Sequence, residues 1–143
     1  RLSEASGMSD WNELVAQARL AQEQSYSPYS KFRVGAALQG ASGRIYRGCN
    51  IENASYRVTT CAEQSAVAAA ITSGERTFIR IALSADSDEP AAPCGACRQT
   101  LVEFAPELEI YSVGRTGATQ RWNINELIPM AFTRKSLPTG QPE

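Results

Sequence analysis

The chain predicts an α/β fold: three layers, α/β/α, built on a mixed five-stranded sheet. Two observations carry that expectation. The hydrophobic patterns follow the order helix, strand, strand, helix, strand, helix, strand, strand. A tight turn joins the first two strands, whereas a helix joins the third and fourth, which requires a right-handed parallel crossover. A sheet with both kinds of connection is mixed, and the helices cover both of its faces.

The stretch "SDWNELVAQARLAQEQSY" places Trp11, Leu14, Val15, Ala18 and Ala21 at helical spacing. Ser9 or Asp10 is expected to cap its first turn, with Glu13 completing a capping box. Pro28 ends the helix by pushing Ser27 towards an extended conformation. "KFRVGAALQ" and "RIYRGCNI" read as strands, and "GASG" between them is a hairpin signal. "CAEQSAVAAAITSG" reads as a helix that is nearly all buried, stopped by Gly74. "TFIRIALSAD" is the third strand, and Pro93 leads into a third helix, "CGACRQTLVEFAP". "LEIYSV" and "TQRWNI" are strands four and five, and "NELIPMAF" is a helical turn before a polar tail. No repeat or linker interrupts this order. Residues 1–8 are read as an N-terminal extension, of which 1–7 precede a native start at Met8, and 9–143 as a single domain.

The 143 residues suffice for one domain with a real core. A net charge of −1 and the lack of any Lys or Arg run speak against a nucleic-acid binder and favour a small, weakly charged ligand. No run of about 18 apolar residues exists to span a membrane. The first residues lack the apolar core of a signal peptide, so a reducing cytoplasm is expected. There the four cysteines point to metal or redox chemistry rather than to disulfides.

Cys94 and Cys97 stand at i and i+3 at the start of one helix, and Cys61 opens another. A helix N-terminus favours the thiolate, the form that binds metal. If the two helices lie side by side, three thiolates converge. Three protein ligands with one open position describe a catalytic zinc site, and four a structural one. With no histidine in the chain, the fourth would have to be Cys49 or a carboxylate. Cys49 falls in a strand that reads as buried, where a lone cysteine is usually a small hydrophobe. Glu63, two positions after Cys61, is placed to exchange protons with a zinc-bound water. Taken alone it would be an acidic residue favoured by the helix dipole.

C-x-E opening one helix, followed by P-C-x-x-C opening the next, is the signature of the zinc deaminases with cysteine as first ligand. From Trp11 to Leu137 the chain resembles the cytidine deaminase family in its small three-cysteine form. The resemblance rests on "YSPYSKFRVGAAL", "GCNIENASY", "CAEQSAV", "PCGACRQTLVE" and "ELIPMAF". It implies one zinc per subunit on Cys61, Cys94 and Cys97, with Glu63 as proton shuttle. The implied reaction is hydrolytic deamination of cytidine and deoxycytidine to the uridines and ammonia, as in pyrimidine salvage. It further implies that Phe32, Asn50 and Glu52 hold the nucleoside. A homotetramer is implied as well, in which Ala54, Tyr56 and Phe132 reach a neighbour's site. Without the resemblance, Phe32 reads as core and Asn50 and Glu52 as a polar loop.

One departure stands out. The family's three-cysteine members commonly carry Arg directly after the catalytic glutamate, and this chain has Gln64. Three thiolates, Zn²⁺ and hydroxide sum to a net negative charge, which weakens the metal as a Lewis acid. Gln64 is therefore expected to face the sulfurs, with Arg57 or Arg98 supplying positive charge. The alternatives are a deaminase of modified or N4-substituted cytosine nucleosides and a blasticidin S-like deaminase. Further off are a thiol oxidoreductase using "CGAC" and a zinc-stabilised interaction module. The oxidoreductase reading leaves Cys61 and Glu63 idle, and the module needs a fourth ligand.

Overall fold

The computed structural model describes residues 4–138, so residues 1–3 of the expected extension and the end of the polar tail lie outside the described residues. Helix α1 spans Glu4–Glu23, strand β1 Val34–Gly40, β2 Ile45–Cys49 and helix α2 Ala62–Thr72. Strand β3 (Phe78–Ala85), helix α3 (Gly95–Phe104), β4 (Glu109–Val113), β5 (Thr119–Asn123) and the short helix α4 (Ile124–Leu127) complete the order. The five strands form one sheet in the order β2-β1-β3-β4-β5. β1 runs antiparallel to β2 and β3, β3 is parallel to β4, and β4 is antiparallel to β5. The expected mixed sheet, hairpin and crossover are all present.

The pleat sorts side chains to two cores, because successive residues of a strand face opposite sides. Ala36, Leu38, Ile81, Leu83 and Ile110 pack with Ala62, Ala66, Val67 and Leu101 of α2 and α3. Ala37, Ala82 and Val113 pack against Trp11, Leu14, Val15 and Ala18 of α1. Two glycines set the helix–sheet spacing. A Cβ on Gly35 would lie 2.0 Å from the Ala18 carbonyl oxygen of α1. A Cβ on Gly48 would lie 2.3 Å from the Ala66 nitrogen and 2.4 Å from the Ala62 oxygen of α2. Only hydrogen fits at either place, so both helices rest directly on strand backbone.

Two local expectations are corrected. Ser9 and Asp10 lie inside α1, which continues back to Glu4, so neither caps it. Helix α2 is buried on one face only: Ala62, Glu63, Ala66, Val67 and Ala70 point inward, whereas Ala68 and Ala69 are exposed. Alanine is a strong helix former on any face, so its abundance signals helix and not burial.

Topology fixes where a site can form. α2 and α3 both run antiparallel to β3, so their N-termini meet beyond its C-terminal end. The start of β1 and the end of β2 arrive at the same edge, through the Val34–Ala85 and Gly35–Cys49 pairings. In open α/β sheets this edge is where ligands bind.

Candidate active site

Cys61 is the N-cap residue of α2 and Cys94 that of α3, with Cys97 in the first turn of α3. Their sulfurs all lie within 4.8 Å of one another. Tetrahedral zinc–thiolate bonds of about 2.3 Å would set sulfurs roughly 3.8 Å apart. The three thiols therefore fit a zinc ion with only slight closure, and two helix N-termini favour their thiolate forms. Cys97 is fully buried, Cys61 half-buried and Cys94 exposed, so the cluster opens to one side. Hydrogen bonds from its neighbours, Cys97 foremost, pull the Cys61 thiol down to about 7. Facing that thiolate and buried, Cys97 is pushed up.

Glu63 follows Cys61 in the first turn of α2 and is only 7% exposed. Burial raises its pKa above the ordinary carboxylate range. Its side chain and the three cysteines line a cavity of about 250 Å³. Phe32 and Asn50 line the same cavity. Sequence reasoning missed its other walls: Val34, Thr59, Ala62, Leu83, Ala91 and Ala92. Leu83 was legible as an inward strand residue, but nothing in "EPAAP" marks Ala91 and Ala92 as cavity wall.

Asn50 is nearly buried and largely occupied by its own chain. Its Nδ2 donates to the Phe32 carbonyl at 2.8 Å, and its Oδ1 accepts from the Val34 N–H at 2.9 Å and from the Ser25 hydroxyl. This ties the end of β2 to the start of β1 and leaves one amide hydrogen for a ligand. Glu52 turns to an adjoining cavity of about 260 Å³, shared with Tyr29, Ser30 and Tyr56, and Thr59 lines both cavities. The Ser30 hydroxyl and two backbone N–H groups hold the Glu52 carboxyl below its ordinary value.

The remaining candidates are not brought into the metal cavity by this chain alone. Ala54 is exposed. Tyr56 is 73% exposed and meets Tyr29 edge-on at 5.7 Å. The ring of Phe132 is exposed, while its carbonyl accepts from Gln99 Nε2 at 2.8 Å.

Gln64 does face the sulfurs: its Nε2 donates to Cys97 Sγ at 3.7 Å. The guanidinium of Arg98 is directed to carbonyls instead, donating to Pro93 at 2.7 Å and Leu127 at 2.8 Å. It clamps the residue before Cys94 to the end of α4. Arg57 lies exposed in the 3₁₀ turn Tyr56–Val58. Cys49, expected to be buried, is half-buried because β2 is an edge strand, and it stands outside the cysteine cluster.

Residues 8–113 match the family described as the cytidine and deoxycytidylate deaminase zinc-binding region. A cytidine deaminase of Sporosarcina psychrophila is 43% identical over 129 residues, covering 90% of this chain and 95% of that one. The crystal structure of a cytidine deaminase from Burkholderia pseudomallei superposes with a TM-score of 0.82 at 41% identity, over 85% of this chain and 98% of that one. A blasticidin-S deaminase of Bacillus cereus is more distant, 33% identical over 113 residues, with 73% and 80% covered.

Proposed function

Because the chain belongs to the cytidine and deoxycytidylate deaminase zinc-binding family, we propose that it is a cytidine deaminase. It hydrolyses the C4 amino group of cytidine and deoxycytidine, giving uridine or deoxyuridine and ammonia. One observation carries this reading. Three helix-terminal thiols converge beside a buried carboxyl group, in a cavity with apolar walls. The blasticidin S-like alternative is weaker, since that relative matches less of the chain at lower identity.

Cys61, Cys94 and Cys97 hold one zinc ion. Bound there, zinc would supply a Lewis acid that makes water a nucleophile near neutral pH. Everything else falls to the chain's own groups. Glu63, buried in the cavity wall, carries protons: it passes one proton of the attacking water to N3 of the base and the other to the departing amino nitrogen. The balance is one water consumed, the C4–N bond broken, a C4–O bond formed and ammonia released. Phe32 lies against the base or sugar, and Asn50 and Glu52 bind ribose hydroxyls. The walls of Val34, Leu83, Ala91 and Ala92 keep bulk water from the reacting atoms.

The same reading extends to a cytoplasmic homotetramer. Met130, Phe132, Tyr56 and Val58 form exposed apolar surface that a neighbouring copy would cover, and Ala54, Tyr56 and Phe132 would then border its site. Among the described residues, no helix is long and apolar enough to cross a membrane.

The test is the ultraviolet spectrum of cytidine followed over time with the zinc-loaded protein. The parent converts it to uridine, and Glu63→Ala slows turnover by about 10²–10⁴-fold. A folded, zinc-loaded parent that leaves cytidine, deoxycytidine and N4-substituted analogues untouched would overturn the proposal.

A further inference from the structure

A serine that the sequence reading passed over stands at the centre of the nucleoside pocket's polar residues. Ser30 Oγ accepts from the Phe32 N–H at 3.0 Å and donates to Glu52 Oε2. Glu52 Oε1 accepts from the Tyr29 and Ser30 N–H groups at 2.9 and 3.1 Å. The Phe32 carbonyl in turn accepts from Asn50. Lys31, between Ser30 and Phe32, has φ of 61°, a left-handed turn that lets the Ser30 oxygen fold back onto Phe32. Phe32, Asn50 and Glu52 are thus wired together, and Ser30 makes the link to the carboxylate.

The protons in this link have a single arrangement. The Phe32 N–H can only donate, and an ionised carboxylate can only accept, so the serine hydroxyl must donate to Glu52. A carboxylate offers about four acceptor sites, and here the chain fills three, which leaves one on Oε2. Being held at three points, the carboxylate cannot swing to follow a ligand.

We propose that Ser30 is a positioning residue that fixes Glu52 so that its one free acceptor site meets a ribose hydroxyl, making Ser30 a determinant of sugar recognition. This rests on the reading of Glu52 as a ribose contact. Without the serine hydroxyl, Oε2 regains two open sites and loses its orientation. Binding of the sugar weakens, while the thiols and Glu63 are untouched. A loss of that kind falls on KM and spares kcat.

The experiment measures KM and kcat of the zinc-loaded enzyme on cytidine and on 2′,3′-dideoxycytidine, which lacks both ring hydroxyls. Ser30→Ala is expected to raise KM for cytidine about tenfold, the scale of a hydrogen bond to a charged group, with kcat nearly unchanged. Its KM for dideoxycytidine should equal the parent's. Ser30→Thr, which restores the hydroxyl, should recover most of the loss on cytidine. If Ser30→Ala does not fold, Ser30→Cys keeps the size but donates weakly and makes the same comparison. An equal loss on both substrates, a fall in kcat alone, or undiminished preference for cytidine would overturn the role of Ser30. A parent that itself binds the two substrates equally would overturn the reading of Glu52 beneath it.

Discussion

Placing a methyl group on Gly48 should damage the metal site without touching any of its residues. The Cβ of Gly48→Ala would lie 2.4 Å from the Ala62 oxygen and 2.3 Å from the Ala66 nitrogen, both backbone atoms of α2. Ordinary contact begins near 3.4 Å. The helix must therefore retreat by about 1 Å, since its backbone offers no side chain that could rotate away. Overpacking of this kind costs about 1–3 kcal/mol, which for a chain this size lowers Tm by roughly 3–10 °C. The retreat carries Cys61 and Glu63 away from Cys94 and Cys97, which α3 leaves in place. A displacement of about 1 Å at a catalytic group costs on the order of 10²-fold in rate. Gly35→Ala is the control. Its Cβ would lie 2.0 Å from α1 on the opposite face, so it destabilises at least as much, yet α1 carries no ligand. Zinc per subunit, kcat and Tm should be measured on both. Loss of zinc and rate in Gly48→Ala, with both retained by folded Gly35→Ala, is expected. Full zinc and parental kcat in Gly48→Ala would refute the reasoning.

Cys49→Ala should keep one zinc per subunit by atomic absorption, whereas Cys97→Ala should lose it, because only the latter belongs to the cluster. Gln64→Ala removes the donor to Cys97 Sγ and should speed zinc loss to a chelator roughly three- to tenfold, the scale of one net hydrogen bond. Asp86, bridged to Arg33 at 2.8 Å, has its pKa lowered chiefly by the hydrogen bond from Arg33. A depressed carboxylate adds stability above its unfolded value and loses it as pH falls through the folded one. Asp86→Asn should therefore cost roughly 1 kcal/mol near pH 7, discounted for an exposed arginine. In thermal melts that gap should close as pH drops below about 4.

The sheet and the three long helices were legible because each had its own period and its own punctuation. Gly43, at φ of 92°, closes the hairpin turn that "GASG" signals, and Cys94 and Cys97 follow Pro93 into a helix start. The metal cluster was legible for the same reason: all three thiols depend on local helix starts, and one crossover then brings those starts together. Contacts between elements were harder to read. Arg57 or Arg98 was expected to supply charge to the thiols; the hydrogen bonds of Arg98 to carbonyls at positions 93 and 127 depend on where α4 ends and could not be read from spacing. Cys49 was taken as buried, since an edge strand and a central one can share the same apolar letters. Ser30 was missed because a serine two positions after a proline reads as turn chemistry, and its acceptor lies 22 residues on.

The seam between β1 and β3 gives the metal site a second character. On one side, a local hairpin carries α2 and with it Cys61 and Glu63. On the other, the crossover from β3 to β4 carries Cys94 and Cys97. Each side is a contiguous stretch of chain, and the site exists only where the two meet. It is a joint between two stretches of chain more than a fixture of either. Any parting of that seam would spread the thiols and so empty the site. Zinc bridging the thiols would bolt the two stretches together, so metal release would report any loosening between them.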